Sequence, residues 1–284
     1  MKLTVFTPLY NRTEFLPRIF DSLMSQKYKD FEWLIIDDGS VNDSEHVIKE
    51  LEKTADFCIR YIIKENGGKH TAHNLAVKEA FGEWFVCLDS DDILAEDALT
   101  CFYKTAEKTG FDILTAYKQT FEGKLLCDKL SLDDNGKGIY TLLNDKHGEY
   151  VFFFKTALIK KFPYPVFDNE KFSSECIVYD RLEIEGYCTG VIDGIVQNCE
   201  YQEEGLSNNF RKLLVKNPCC FQTVHMQRID LARTFKQRFV HGIKYCAFRI
   251  LNNFKASSYD GKHKFTVFCA YPLGILAAIY YKIR

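Results

Sequence analysis

Over its first 120 residues the chain alternates short apolar runs with stretches of helical spacing, without an internal sequence repeat. "LTVFTP", "FEWLIIDDGS", "FCIRYIIK", "GEWFVCLD" and "FDILTAY" read as strands. Between them, "RTEFLPRIFDSLMSQ" repeats apolar residues at Phe15, Ile19, Leu23 and Met24. "SEHVIKELEKT" predicts a second helix with Ser44 as N-cap, and "GKHTAHNLAVKEAF" a third after Gly67-Gly68. "EDALTCFYKTAEKTG" predicts a fourth, closed by Gly110. Strands separated by helices require right-handed crossovers, so the order predicts an α/β fold around a mostly parallel sheet.

Ligands of such sheets bind beyond the carboxyl ends of the strands. Three of those ends carry chemistry here: "TPLYNR", "IDDGS" and "LDSDD". Asp89, Asp91 and Asp92 crowd into four positions, and close carboxylates repel unless a positive charge sits among them. Mg²⁺ takes oxygen ligands and needs only one or two carboxylates beside substrate phosphates. Asp89-Ser90-Asp91 offers alternate carboxylates on a turn, one for a cation and one for a ribose hydroxyl. The bland reading is a solvated turn whose acids cap a helix, and its place on the rim argues against that. Asp37 and Asp38 end the second strand; Asp38, nearer the rim, suits the N3–H of a pyrimidine base, against an Asx-type turn. "ENGGKHTAHN" places Lys69 and a helix start where a phosphate would meet backbone N–H groups, though it lacks the P-loop pattern. Glu175, at the start of the helix predicted in "SSECIVYDRLEIEG", is a candidate general base, with Ser173 or Ser174 as cap.

Beyond residue 120 the pattern loosens. "EYVFFFK" reads as a strand, "TALIKKF" as a short helix, "GVIDGIVQNCEY" as strands and "GIYTLLNDKHGEY" as loop and strand. From "GLSNNFRKLL" onward the chain reads as helical and basic. Residues 228–284 hold eleven Lys or Arg against Asp230 and Asp260, a balance of +9 in a chain whose total is −2. Residues 265–281 form an uncharged run of 17 that Pro272 and Gly274 interrupt, short for a membrane span. Basic amphipathic helices beside it suit peripheral attachment to an anionic membrane. Packing on the catalytic domain or on a second copy of the chain is the alternative. No recognition motif accompanies the basic charge, so nucleic acid is not an expected partner. Eleven cysteines without C-x-x-C pairs, behind an N-terminus that runs straight into a strand, read as free thiols in a cytoplasmic setting. Cys219, Cys220 and His225 lack structural zinc spacing. No G-x-S-x-G elbow is present.

"TVFTPLYNR", "QKYKDFEWLIIDDGSVNDS", "ENGGKHTAHN", "GEWFVCLDSDDIL" and "FSSECIVYDRL" stand in the order found in family 2 glycosyltransferases of the kind that build bacterial polysaccharides and cell-surface glycans. The chain resembles that family over residues 1–205. The resemblance implies a GT-A fold and an inverting sugar transfer from a nucleotide-diphosphate donor, with UDP as the expected nucleotide, to a glycan or lipid-linked acceptor. It implies a catalytic domain over 1–205, with a nucleotide-binding half (1–118) and an acceptor-side half (119–205), and a helical extension over 206–284. Carried over, Pro8 and Tyr10 line the base pocket, Asp38 binds the base, and Asp89 binds the ribose. Asp91 holds Mg²⁺ or Mn²⁺, while Ser90, Asp92 and Lys69 lie with the donor. Glu175 falls at the second acid of the family's Glu-Asp pair, its catalytic base, where this chain reads Ser174-Glu175. His73 stands where many relatives carry Arg, with Lys69 as compensation. A nucleotidyltransferase is the runner-up, but "TPLYNR" lacks its glycine- and arginine-rich signature. A non-catalytic nucleotide-sugar binder would need neither Asp91 nor Glu175.

Overall fold

The computed structural model describes residues 1–200 and 210–283. The apolar runs become β1 (Leu3–Leu9), β2 (Phe31–Asp37), β3 (Cys58–Ile63), β4 (Trp84–Cys87), β6 (Ile113–Thr120), β7 (Tyr150–Lys155) and β8 (Thr189–Cys199), and a two-residue strand, β5 (Ile93–Leu94), forms after the aspartate turn where none was expected. They form one sheet in the order β3-β2-β1-β4-β7-β6-β8-β5. The first four neighbours run parallel. β7 then pairs antiparallel with both β4 and β6, β6 pairs parallel with β8, and β5 antiparallel with β8. Every β2 residue is buried, as expected of a parallel strand covered on both faces, whereas β3 at the sheet edge is only partly buried.

Pro8 sits inside β1, a position a central strand normally refuses. The register explains it. Phe6 O accepts from Leu88 N at 2.8 Å, and the parity of β1 turns Pro8 toward the same side. Pro8 has no N–H for the next rung, so the β1–β4 ladder stops and the chain after Leu88 departs as a turn.

Helices α1 (Leu16–Met24), α2 (Ser44–Glu52), α3 (Lys69–Glu79), α4 (Ala98–Ala106), α5 (Ile139–Asp145) and α6 (Thr156–Ile159) connect the strands. α1 buries Leu16, Ile19, Phe20 and Leu23, a stripe set one residue away from part of the expected one. Asp43, not Ser44, caps α2, accepting from His46 N at 3.2 Å. The buried Ser44 hydroxyl instead pairs with Thr13 Oγ1 at 2.7 Å. α4 ends at Ala106, ahead of Gly110, which is not left-handed and closes nothing. "GIYTLLND" is α5, a helix where loop and strand were expected. Phe102 of α4 stacks on Phe153 of β7 with ring centroids 4.5 Å apart and meets Trp84 edge-on at 5.6 Å. Burial of each such side chain contributes about 1.5–3 kcal/mol. A Cβ on Gly82, just before β4, would lie 2.3 Å from Thr4 N, so only glycine lets these backbones approach.

The chain divides into two compact units: Met1–Pro163 with Gly186–Gln202, and Tyr164–Glu185 with Glu203–Arg284. The expected boundary at 205/206 lies outside the described residues. The first unit holds the sheet. The second holds α7 (Glu175–Ile184), α8 (Phe210–Lys216), α9 (Pro218–Leu231), α10 (Phe235–Leu251) and α11 (Lys264–Ile283). Ile177 of α7 packs with Cys220 and Val224 of α9. Asp180 of α7 pairs with Arg228 Nε at 2.8 Å. Burial pushes the Asp180 carboxyl up to about 6 against the pull of that guanidinium. A Thr234–Gln237 capping box starts α10. α11 is continuous through Pro272, which overturns the expected interruption. Pro272 lies on the exposed side, and Gly274 lets the backbone close on α10: a Cβ there would meet Cys246 Cβ at 2.4 Å. Thr266, Ala270, Gly274 and Ala278 form the buried line of α11. Phe265, Phe268, Leu276 and Ile279 are exposed.

Candidate active site

The carboxyl ends of β1, β2 and β4 bring the three loaded loops to one rim of the first unit. Asn11, in the left-handed region at φ 52°, fixes the loop after β1. Its backbone N–H donates to Ser40 Oγ and its Oδ1 accepts from Val41 N, both at 2.9 Å. Pro8 is half-buried and Tyr10 exposed on this loop.

The two acids at the end of β2 are buried and held. Asp37 accepts from Ser40 N and from Tyr61 Oη, each at 2.7 Å. Burial, with Asp37 as hydrogen-bond acceptor, keeps the Tyr61 phenol protonated. Asp38 accepts from Lys64 Nζ, from Gly67 N at 3.0 Å, from Gly68 N at 2.7 Å and from Asn66 Nδ2 at 3.3 Å. Four donors use the roughly four acceptor positions of a carboxylate. Asp38 therefore shapes the turn that precedes α3, where Gly68 takes φ 95°.

The turn after β4 closes with Asp92 N donating to Asp89 O at 3.0 Å. Each of its acids faces its own cation. Lys69 Nζ lies 2.8 Å from Asp89. Burial works to raise the Asp89 carboxyl, but Lys69 and Lys118 outweigh it and hold it at about 2. Arg12 Nη1 donates to Asp91 Oδ2 at 2.7 Å and reaches Ser90 Oγ at 3.5 Å. Arg18, itself paired with Glu200 at 2.7 Å, donates to the Asp91 carbonyl. Lys118 Nζ of β6 lies 3.5 Å from buried Asp92. Burial pushes the Asp92 carboxyl up to about 6 against Lys118, with Asp89 and Asp91 adding to the rise. Burial works against the Lys118 ammonium too, yet Asp92 and Asp89 keep it firmly protonated.

The rim thus assembles Pro8, Tyr10, Asp38, Lys69, Asp89, Ser90, Asp91 and Asp92. Arg12, Lys64 and Lys118 had no assigned part in the sequence reading. Arg12 stood in a quoted loop, and Lys118 lies one residue past the predicted strand "FDILTAY". His73 does not join the rim. It is buried on the sheet side of α3, edge-on to Phe6 and Phe85 with centroids 5.6 and 5.1 Å away. Burial lowers it to about 3, so it is a neutral core histidine. Glu175 belongs to the second unit, as the first residue of α7, half-buried beside the N-cap Ser174. A cavity of about 330 Å³, lined by His73, Lys78, Lys160 and Phe162 among others, contains none of the rim acids.

A hard divalent ion would meet single carboxylates here rather than a cage of protein ligands. Among the described residues no three His, Cys, Asp or Glu side chains gather as ligands. Asp91, however, already holds a cation, the Arg12 guanidinium, as a stand-in on a partly exposed carboxylate. One such carboxylate, completed by substrate phosphates, is the usual Mg²⁺ arrangement. In the second unit, Cys220 Sγ accepts from Ser174 N, and His225 Nδ1 faces His241 Nδ1 at 3.1 Å.

The model of glycosyl transferase family 2 matches residues 4–164. A β-1,3-glucosyltransferase of Campylobacter jejuni that acts on GalNAc(5)-diNAcBac-PP-undecaprenol is 30% identical over 185 residues, 60% of this chain and 57% of that protein. Glycosyltransferase GlyA of Streptococcus pneumoniae is 29% identical over 151 residues, 53% of this chain and 20% of that protein. The chain covers 18–40% of the length of the first five curated relatives. Among solved structures, TarS 1–349 of S. aureus with UDP-GlcNAc superposes with TM-score 0.64 at 16% identity, over 98% of this chain and 82% of that one. The mannosyltransferase PcManGT of Pyrobaculum calidifontis, with GDP-Man and Mn²⁺, superposes with TM-score 0.58 at 16% identity, over 98% and 87%. These likenesses make the fold GT-A-like. The family match spans the loaded ends of β1, β2 and β4, and the chain belongs to glycosyl transferase family 2.

Proposed function

We propose that this chain moves a sugar from a nucleoside diphosphate donor, UDP-linked, to a hydroxyl of a glycan or lipid-linked saccharide. The observation that carries the reading is the rim turn, where Asp91 already binds a cation between Asp89 and Asp92. The UDP-GlcNAc in TarS and the acceptor in the Campylobacter glucosyltransferase's name support the same class of substrates.

In this reading Pro8 and Tyr10 flank the base, and Asp38 contacts it by yielding one of its present donors. Asp89 holds the ribose, Ser90 lies with the donor, Asp92 lies by the donor sugar, and Lys69 faces the diphosphate. Asp91 would hold Mg²⁺ or Mn²⁺. Such an ion supplies charge neutralisation to a departing diphosphate. Glu175 takes the proton of the acceptor hydroxyl. That oxygen bonds to the anomeric carbon as the bond to the diphosphate oxygen breaks, which inverts the centre. We keep residues 1–118 as the nucleotide-binding part, 119–205 as the acceptor side and 206–284 as the extension.

A donor panel read by thermal shift tests this. A ligand bound only by the folded chain adds about 2.7 kcal/mol at one hundred times its Kd. UDP-sugars with Mn²⁺ should raise Tm. A panel in which no nucleotide sugar does so refutes the reading.

The second unit supports attachment at the inner face of the cell membrane. α11 is long and apolar enough to cross a bilayer, and it is mostly uncovered. Its line of small residues meets α10 at Gly242 and Cys246, which brings Lys244 beside the middle of α11. A spanning α11 would carry that lysine to the bilayer centre, at about 2.5–3.5 kcal/mol. Lying along the surface avoids this and immerses Phe268 and Leu276. Anionic liposomes should float the chain, and F268D/L276D should stay behind. Equal flotation sinks the attachment, and a concentration-dependent dimer lost in F268D/L276D assigns the face to a second copy.

A further inference from the structure

We propose that Arg12 is a resident counter-cation on Asp91, displaced when a divalent ion and a nucleoside diphosphate arrive, so that the two ligands enter together. This rests on the reading of the rim as a nucleotide-diphosphate site and adds to it an order of binding and a residue that sets the order.

Three observations carry the inference. First, Arg12 Nη1 sits 2.7 Å from Asp91 Oδ2, on the carboxylate that would hold a metal. A guanidinium and a divalent ion compete for that carboxylate. Second, the other rim acids are already matched: Asp38 to Lys64, Asp89 to Lys69 and Asp92 to Lys118. Those four carboxylates meet four cations, while Asp37 takes its hydrogen bonds from neutral donors. A metal ion alone meets cations already in place, and a diphosphate alone adds negative charge beside carboxylates. Arriving together, their charges nearly cancel. Third, the Arg12–Asp91 pair is open enough to exchange. Its side chains are 29% and 18% exposed, against 15% and 7% for Lys118–Asp92 and 19% and 6% for Lys64–Asp38; Lys69–Asp89, at 35% and 33%, is more open still. Asn11, tied at both its N–H and its side chain, anchors the backbone while the arginine beyond it moves.

A displaced Arg12 does not lose a partner. Its planar fork matches phosphate oxygens as well as carboxylate, and the Ser90 hydroxyl at 3.5 Å keeps it near the turn. The arginine therefore opposes the metal in the empty rim and favours the diphosphate in the filled one. That double action makes binding of the two ligands cooperative, and by linkage the coupling is reciprocal.

Mn²⁺ titrations of the full chain, followed by electron paramagnetic resonance of the free ion with and without UDP or GDP, test this. The wild-type chain should bind Mn²⁺ at least tenfold more tightly with nucleotide than without. R12M should bind Mn²⁺ alone at least tenfold more tightly than wild type, and nucleotide should then add less than threefold. A merely structural arginine would weaken the metal or leave it unchanged, so the sign of the effect is diagnostic. R12K should keep most of the wild-type coupling. In a D91N background, R12M should change nothing, which closes the double-mutant cycle. Nucleotide-dependent Mn²⁺ binding that R12M leaves untouched overturns this inference alone. A chain that binds no Mn²⁺ even with nucleotide overturns it together with the reading of the rim.

Discussion

Asp38 and Asp91 lie in the turns that follow the two strands flanking β1, yet they are satisfied in opposite ways. Asp38 is buried under four donors, two of them backbone amides of Gly67 and Gly68. None of these amides leaves without unwinding the turn ahead of α3. Asp91 is partly exposed and takes its hydrogen bonds from long side chains. A carboxylate held by backbone fixes shape; one held by a mobile side chain can trade partners. The difference separates an acid whose position the backbone fixes from an acid whose partner can be exchanged.

The largest test of that separation uses a third acid. Glu175→Gln should leave stability and donor affinity intact and lower the transfer rate at least about 100-fold, since general-base help is worth ~10²–10⁴-fold. Weakened donor binding in that variant would merge roles the comparison keeps apart. Asp91→Asn should weaken Mn²⁺-dependent donor binding about 100-fold in calorimetry, while its unfolding free energy moves by less than about 1 kcal/mol, the range of an exposed pair. Asp38→Ala should do the reverse first. It strands Lys64 and two buried amides, so urea unfolding should show a loss of about 2–4 kcal/mol. An Asp38→Ala chain as stable as wild type would break the contrast.

Acid should attack the fixed side before the exchangeable one. His73 is neutral in the fold at about 3, against an ordinary value near 6.5, because burial disfavours its charged form. The stability it lends is complete above about pH 6.5 and is lost as pH falls toward 3, reaching about 2 kcal/mol by pH 5. His73→Gln should therefore flatten the pH dependence of unfolding between 5 and 6.5. An unchanged slope would mean His73 titrates as it does in water.

Much of this was legible in the chain because period and position are local. β1 to β4, the loaded rim and a serine cap for α7, expected at Ser173 or Ser174 and found at Ser174, follow from runs of a few residues. What escaped was the pairing. Arg12 meets an acid 79 residues away, Lys118 one 26 away and Arg228 one 48 away, and no window spans those distances. α5 escaped because Tyr140 and Thr141 read as strand formers, until tertiary burial of Ile139, Tyr140 and Leu142 decided the matter. Asp43 took the cap expected of Ser44 because that serine turned inward to Thr13.

Pro8 has a reach beyond its own ring. With any other residue there, β1 would own one more donor and Leu88's carbonyl one more suitor, and the sheet could zip a tooth further. Asp89 would then be drawn into a pleat and lose the freedom to begin a bend. One absent hydrogen marks the border at which weaving stops and reactive chemistry is given room.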